Sequence, residues 1–150
     1  MKIREANAED IQQIVQLRMK LFVEVGAISH EDAAPELKAT TLQYFQENTN
    51  VTKSWVAEYS GKIVAAGTLS LFFRPPYPEN LLGKEGYLLN MYTLPEYRKK
   101  GCGKGILENI LAYSRQEQLG KVWLHASTVG RPLYEKAGFI ANSAYLEWIP

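Results

Sequence analysis

Asn90-Met91-Tyr92-Thr93-Leu94-Pro95-Glu96-Tyr97-Arg98-Lys99-Lys100-Gly101-Cys102-Gly103-Lys104-Gly105 is the stretch on which the reading of this chain turns. The run Tyr87 to Thr93 reads as a buried strand that Pro95 ends. Ile106, Leu107, Ile110 and Leu111 mark one apolar face of a helix that runs to about Gln118, with Gly120 as its stop. Between strand and helix lies a basic loop with three glycines, which let a backbone approach a ligand because no Cβ intervenes. The first amides of a helix have no intrahelical acceptor and stand at the positive end of its dipole. Such a loop favours phosphate oxygens, and the flanking cations add attraction.

Working outward, residues 1–6 read as a short first strand, and Asn7 with Asp10 as a helix start. Ile11, Ile14, Val15, Leu21, Phe22 and Val25 then recur at helical spacing as far as Gly26. A second helix is expected over about 33–46. Strands over 55–59 and 63–69 flank a Ser60-Gly61 turn, a two-residue hairpin connection. The segment Arg74-Pro75-Pro76-Tyr77-Pro78 breaks any regular element. Beyond the loop and its helix come a strand over 122–126, a short helix over 129–137 ended by Gly138, and a closing strand over 144–148. The order β-α-α-β-β-β-α-β-α-β fits a central sheet flanked by helices.

Composition narrows the classes. The 150 residues carry 17 Lys and Arg against 16 Asp and Glu, so the net charge of +1 argues against a general nucleic-acid binder. Length and a 46% hydrophobic content predict one domain over residues 1–150. No stretch approaches the length of a membrane span, and the first residues lack the apolar run of a signal peptide. With one cysteine, Cys102, there is no internal disulfide to form, and a cytoplasmic setting is the expectation. His30 and His125 stand far apart without paired ligands, so no metal site is expected. A Walker loop would need Ser or Thr after Gly103-Lys104, where Gly105 stands. Gly101, Gly103 and Gly105 likewise miss the G-x-G-x-x-G dinucleotide spacing.

Arg98-x-x-Gly101-x-Gly103 resembles the R/Q-x-x-G-x-G/A signature of the GNAT superfamily of N-acetyltransferases. Asn90 to Tyr97 resembles the strand and Pro-containing turn before that signature. Leu133-Tyr134-Glu135-Lys136-Ala137-Gly138-Phe139 resembles the family's late segment, and Ile3-Arg4-Glu5-Ala6 with Asp10 and Ile11 its opening. The resemblance implies a mixed α/β fold whose central, mostly antiparallel sheet has about six to seven strands, with about four flanking helices. It also implies acetyl-coenzyme A as acyl donor and no metal.

Carried over by position, the resemblance gives the pyrophosphate to Arg98, Lys99, Lys100, Gly101, Cys102, Gly103, Lys104 and Gly105. Met91, Tyr92 and Thr93 occupy the bulged strand whose backbone meets the pantetheine arm and thioester, where an N–H would stabilise charge on the carbonyl oxygen. The cofactor is expected between residues 87–93 and 121–126. Tyr134 matches a tyrosine that protonates the departing thiolate; a phenol near pKa 10 can serve a thiol near 8.5. Ser127 stands where many relatives have an asparagine on the pantetheine, and its reach is shorter. The acceptor is an amine on a small molecule or peptide, with homodimers common among relatives. Residues 21–37 hold Glu24, Glu31, Asp32 and Glu36 without Lys or Arg, and could attract a cationic amine. Glu24 is the candidate base. For Glu31 and Asp32 the favoured reading is instead that they stabilise a helix N-terminus. Cys102 fills a variable position, so a structural role is expected rather than a nucleophile's. The rival reading is a coenzyme-A-binding regulatory module without catalysis.

Overall fold

The computed structural model describes all residues 1–150. Five strands, β1 (Lys2–Glu5), β2 (Thr52–Tyr59), β3 (Lys62–Phe73), β4 (Lys84–Thr93) and β5 (Lys121–Leu124), form one sheet in that order. The helices are α1 (Ile11–Glu24), α2 (Pro35–Glu47), α3 (Cys102–Gln116) and α4 (Arg131–Lys136). Pairings from β1 to β4 are antiparallel, whereas β4 and β5 run parallel. The fold is thus the mixed α/β architecture anticipated, with five strands in place of six or seven.

The missing element is the closing strand over 144–148, which has no regular structure. The alternation Ala144-Tyr145-Leu146-Glu147-Trp148 suits a strand, but alternation specifies a face and does not supply a partner edge. Leu146 and Trp148 stand exposed. The local bonds are short-range, Ala144 N–H to Asn142 Oδ1 and Tyr145 hydroxyl to Glu147.

Elsewhere the local chemistry explains the elements. Asn7 Oδ1 accepts from the Glu9 N–H, and Asp10 accepts in return from the Asn7 N–H at 2.8 Å, a reciprocal cap before α1. Arg4 grips Asp10 and Glu58 together, tying β1, β2 and that cap. The β2–β3 turn has positive φ at Ser60 and Gly61, the conformation that matches strand twist in a two-residue hairpin.

The two faces of the sheet carry different helices. On one, Ile106, Leu107 and Ile110 of α3 are buried. Gly67 permits that contact, since an added Cβ would overlap Met91 Sδ and Ile106. On the other lie α1 and α2, burying Ile14, Val15, Leu17 and Phe45. Tyr44 of α2 sits with its hydroxyl 3.4 Å from Ser70 Oγ of β3.

Candidate functional site

The parallel ladder between β4 and β5 covers only Glu85–Leu88 against Lys121–Leu124. Beyond it β4 continues to Thr93 with no neighbour on that side, so the two strands part. β4 is irregular at the same point. Its register against β3 slips between Leu89 and Tyr92, opposite Gly67, which leaves one extra residue in β4. Asn90 absorbs the bulge with φ 58, a conformation that asparagine tolerates better than most residues. The expected bulge and opening are therefore both present.

Asn90 joins the site although motif spacing assigns it no role. Its side chain is buried, its amide nitrogen reaches Thr68 Oγ1 at 3.5 Å, and its Oδ1 has no partner. The sequence does carry a signal for it: one amide side chain in the otherwise apolar run Leu88-Leu89-Asn90-Met91. A buried polar group without a partner is unusual in a packed strand.

The loop after β4 has the geometry of an anion cradle. Lys99 and Gly101 adopt positive φ, at 60 and 85, and the backbone amides from Lys99 to Lys104 have no acceptor within the fold. Successive amides turned this way form a concave nest at the N-terminus of α3. The glycines do different jobs. Gly101 takes the left-handed turn. Gly105 seats α3 on β1, where an added Cβ would overlap Ile3. Gly103 opens a space whose nearest neighbour is Leu133 of α4 at 3.5 Å, so a larger side chain would stand in the gap between α3 and α4. These features fit the pyrophosphate and pantetheine of acetyl-coenzyme A.

Arg98 turns away from the nest. Its Nε donates to the Thr93 carbonyl at 2.9 Å and its Nη2 to the Glu24 carboxylate at 2.6 Å. Glu24 is thereby held below the usual carboxylate range, chiefly by that hydrogen bond, and Arg98 is raised in return. Glu24 also lines a cavity of about 530 Å³ shared with Lys20, His30, Glu31 and Tyr92. Glu31 there pairs with Lys20 at 3.0 Å. The acidic segment is thus partly neutralised by cations from outside it. Of the four acids, Glu36 is the one in the first turn of α2.

Tyr134 is buried on α4, edge-on to Phe139 at 5.8 Å, and burial pushes its phenol above the ordinary value. It remains protonated at neutral pH. The Ser127 hydroxyl accepts from the Gly130 N–H at 3.0 Å, bracing the turn into α4. Cys102 points inward, is buried against Met1 Sδ at 3.4 Å, and its thiol is pushed up by burial, which opposes nucleophilic use.

Comparison with known proteins agrees with this geometry. The model of the acetyltransferase (GNAT) family matches residues 11–139. A glucosamine 6-phosphate N-acetyltransferase of Trypanosoma brucei brucei is 29% identical over 140 residues, covering 86% of this chain and 92% of that protein. An uncharacterized N-acetyltransferase of Archaeoglobus fulgidus is 28% identical, over 95% of this chain and 90% of its own. A solved structure from Clostridium acetobutylicum, described as a predicted acetyltransferase with acetyl-CoA, superposes with a TM-score of 0.87 at 29% identity, covering 99% and 95% of the two chains.

Proposed function

Because the chain belongs to the GNAT family of acetyltransferases, we propose that it moves the acetyl group of acetyl-coenzyme A to the primary amine of a small molecule by direct attack. The observation that supports this best is the juxtaposition of free amides at the α3 N-terminus with a β4 strand that bulges and parts from β5. The nest receives the pyrophosphate, and the arm runs from it into the opening. There an amide of the Met91–Thr93 segment meets the thioester carbonyl and stabilises the charge that develops on its oxygen.

The amine nitrogen bonds to the carbonyl carbon while the carbon–sulfur bond breaks. Tyr134 gives its phenolic proton to the leaving sulfur, and the proton that the attacking nitrogen sheds as it becomes an amide passes to solvent, from which the tyrosinate is reprotonated. Glu24, the base candidate, is committed to Arg98 and depressed in pKa, which makes it a weak proton acceptor. Its proposed role is to hold Arg98, and so the end of β4, in place. The amine enters in its neutral form. Acetylation of small-molecule amines is what the name of the trypanosomal relative describes, and this supports the acceptor class.

The test is release of free coenzyme A from acetyl-coenzyme A across a panel of amines. Release with at least one amine is expected. Donor-dependent thermal protection with no turnover on any amine would replace the enzyme with a binding module.

A further inference from the structure

Among the buried polar side chains of the sheet, some serve its periphery. Thr52 of β2 donates to the Tyr44 hydroxyl of α2, and Glu85 of β4 accepts from Arg74 and Tyr77 in the β3–β4 connection. Ser54, Thr68 and Asn90 do neither. They form a chain that runs straight across β2, β3 and β4. Ser54 and Thr68 are registered partners, and their hydroxyls lie 2.9 Å apart. Thr68 Oγ1 also accepts from Asn90 Nδ2 in a long bond of 3.5 Å. An amide nitrogen can only donate, so the chain has a direction: Thr68 accepts from Asn90 and is free to donate to Ser54.

This chain ends at the bulge of β4. Thr68 faces Leu89 and Ala66 faces Tyr92, so Asn90 and Met91 together oppose Gly67. The extra residue of a bulge drops out of the ladder. On the other side the last registered pair is Leu88 with Leu124, which puts Asn90 two residues into the stretch that β5 has left. A side chain anchored on two inner strands therefore sits at the one turn of β4 that neither neighbour holds.

We propose that Asn90 is the positioning residue for the amide that meets the thioester: anchored on Thr68 and through it on Ser54, its side chain fixes the left-handed turn that aims the Met91–Thr93 backbone at the carbonyl. The inference rests on the acetyl-transfer reading and adds what holds that amide still. A left-handed conformation is disfavoured for most residues, and asparagine is among those that tolerate it best. Glycine would reach the same φ but would leave the turn free to move. Packing does not account for the choice, because a buried amide with its Oδ1 unpartnered costs more than an apolar side chain of similar volume. Stabilisation of a developing oxyanion, by contrast, depends on a donor fixed in advance of the reaction.

Asn90→Gly separates turn from anchor, since it keeps the left-handed backbone and deletes the side chain. Infrared difference spectroscopy of acetyl-coenzyme A, isotopically labelled at its acetyl carbonyl, reads the contact without an acceptor. Bound to the unsubstituted protein, the carbonyl should stretch at a lower frequency than in solution. In Asn90→Gly it should move most of the way back, while donor Kd changes by less than about 3-fold. On an amine that the protein acetylates, kcat should fall about 10- to 100-fold with both KM values nearly constant. Thr68→Val, which keeps the shape and removes the hydroxyl, should lower kcat in the same sense, and the double variant should be no slower than Asn90→Gly alone. Circular dichroism and melting temperature establish that each variant is folded. An equal carbonyl frequency in the two proteins, an undiminished kcat, or losses that multiply in the double variant would overturn this inference and leave acetyl transfer intact. Failure of acetyl-coenzyme A to bind the unsubstituted protein would instead defeat the functional reading beneath it.

Discussion

The donor side and the acceptor side of this molecule are built by opposite means. The donor side is one continuous stretch, β4, its bulge, the nest and the start of α3, within residues 84–105. Its unpaired groups are backbone amides, and side chains matter there mainly by being absent, as at Gly101 and Gly103. The proposed acceptor side gathers Lys20 and Glu24 of α1, His30 and Glu31 beyond it and Tyr92 of β4 around one cavity, and is lined by side chains. A backbone site of consecutive residues suits a ligand that never changes. A side-chain site assembled from distant elements can be altered one residue at a time without disturbing the fold, which is where specificity can vary.

Four substitutions probe that contrast. Tyr134→Phe, where the two sides meet in chemistry, should lower kcat by about 10²-fold with KM for acetyl-coenzyme A nearly constant. Undiminished turnover would remove the acid role. Gly103→Val, placing a branched side chain in the α3–α4 gap, should raise KM for the donor by about 10-fold and spare acceptor KM; equal donor affinity would mean that the arm runs elsewhere.

Glu24→Gln has a subtler signature. The Arg98 bond depresses the Glu24 pKa, so the pair's contribution is present above the ordinary carboxylate range and lost as pH falls through the lowered value. Both partners are substantially exposed, and the stability change should stay below about 1 kcal/mol. With Glu24 outside the base role, kcat/KM should climb with pH toward the pKa of the amine itself in both proteins. An acid-limb inflection that Glu24→Gln abolishes would restore it as the base. Smallest of all, Cys102→Ala should cost about 1 kcal/mol of stability and keep its turnover, whereas complete inactivity would revive a covalent route.

The same contrast separates what is legible in the sequence from what is not. Arg98 to Gly105 is legible because glycine spacing, basic residues and the following apolar stripe are local signals. The hairpin at Ser60-Gly61 and the helix start at Asn7 are legible for the same reason. The Glu24–Arg98 bond joins residues 74 positions apart, and only the folded chain reveals it. A count of acids over residues 21–37 cannot see that Arg98 and Lys20 neutralise two of them. The strand expected over 144–148 fails similarly: alternation is written in sequence, whereas an available edge is a property of the assembled sheet.

The short β4–β5 ladder has a thermodynamic side. Where these strands part, β4 from Leu89 onward has no neighbouring strand on its β5 side, so the sheet carries an edge in its interior rather than at its rim. An exposed edge invites pairing with whatever extended chain reaches it. The arm of coenzyme A carries amides of its own and can serve as a surrogate strand, closing the ladder from outside the polypeptide. Under the proposed function, donor occupancy and stability of the sheet form one equilibrium, and the folded population should grow with donor concentration by mass action.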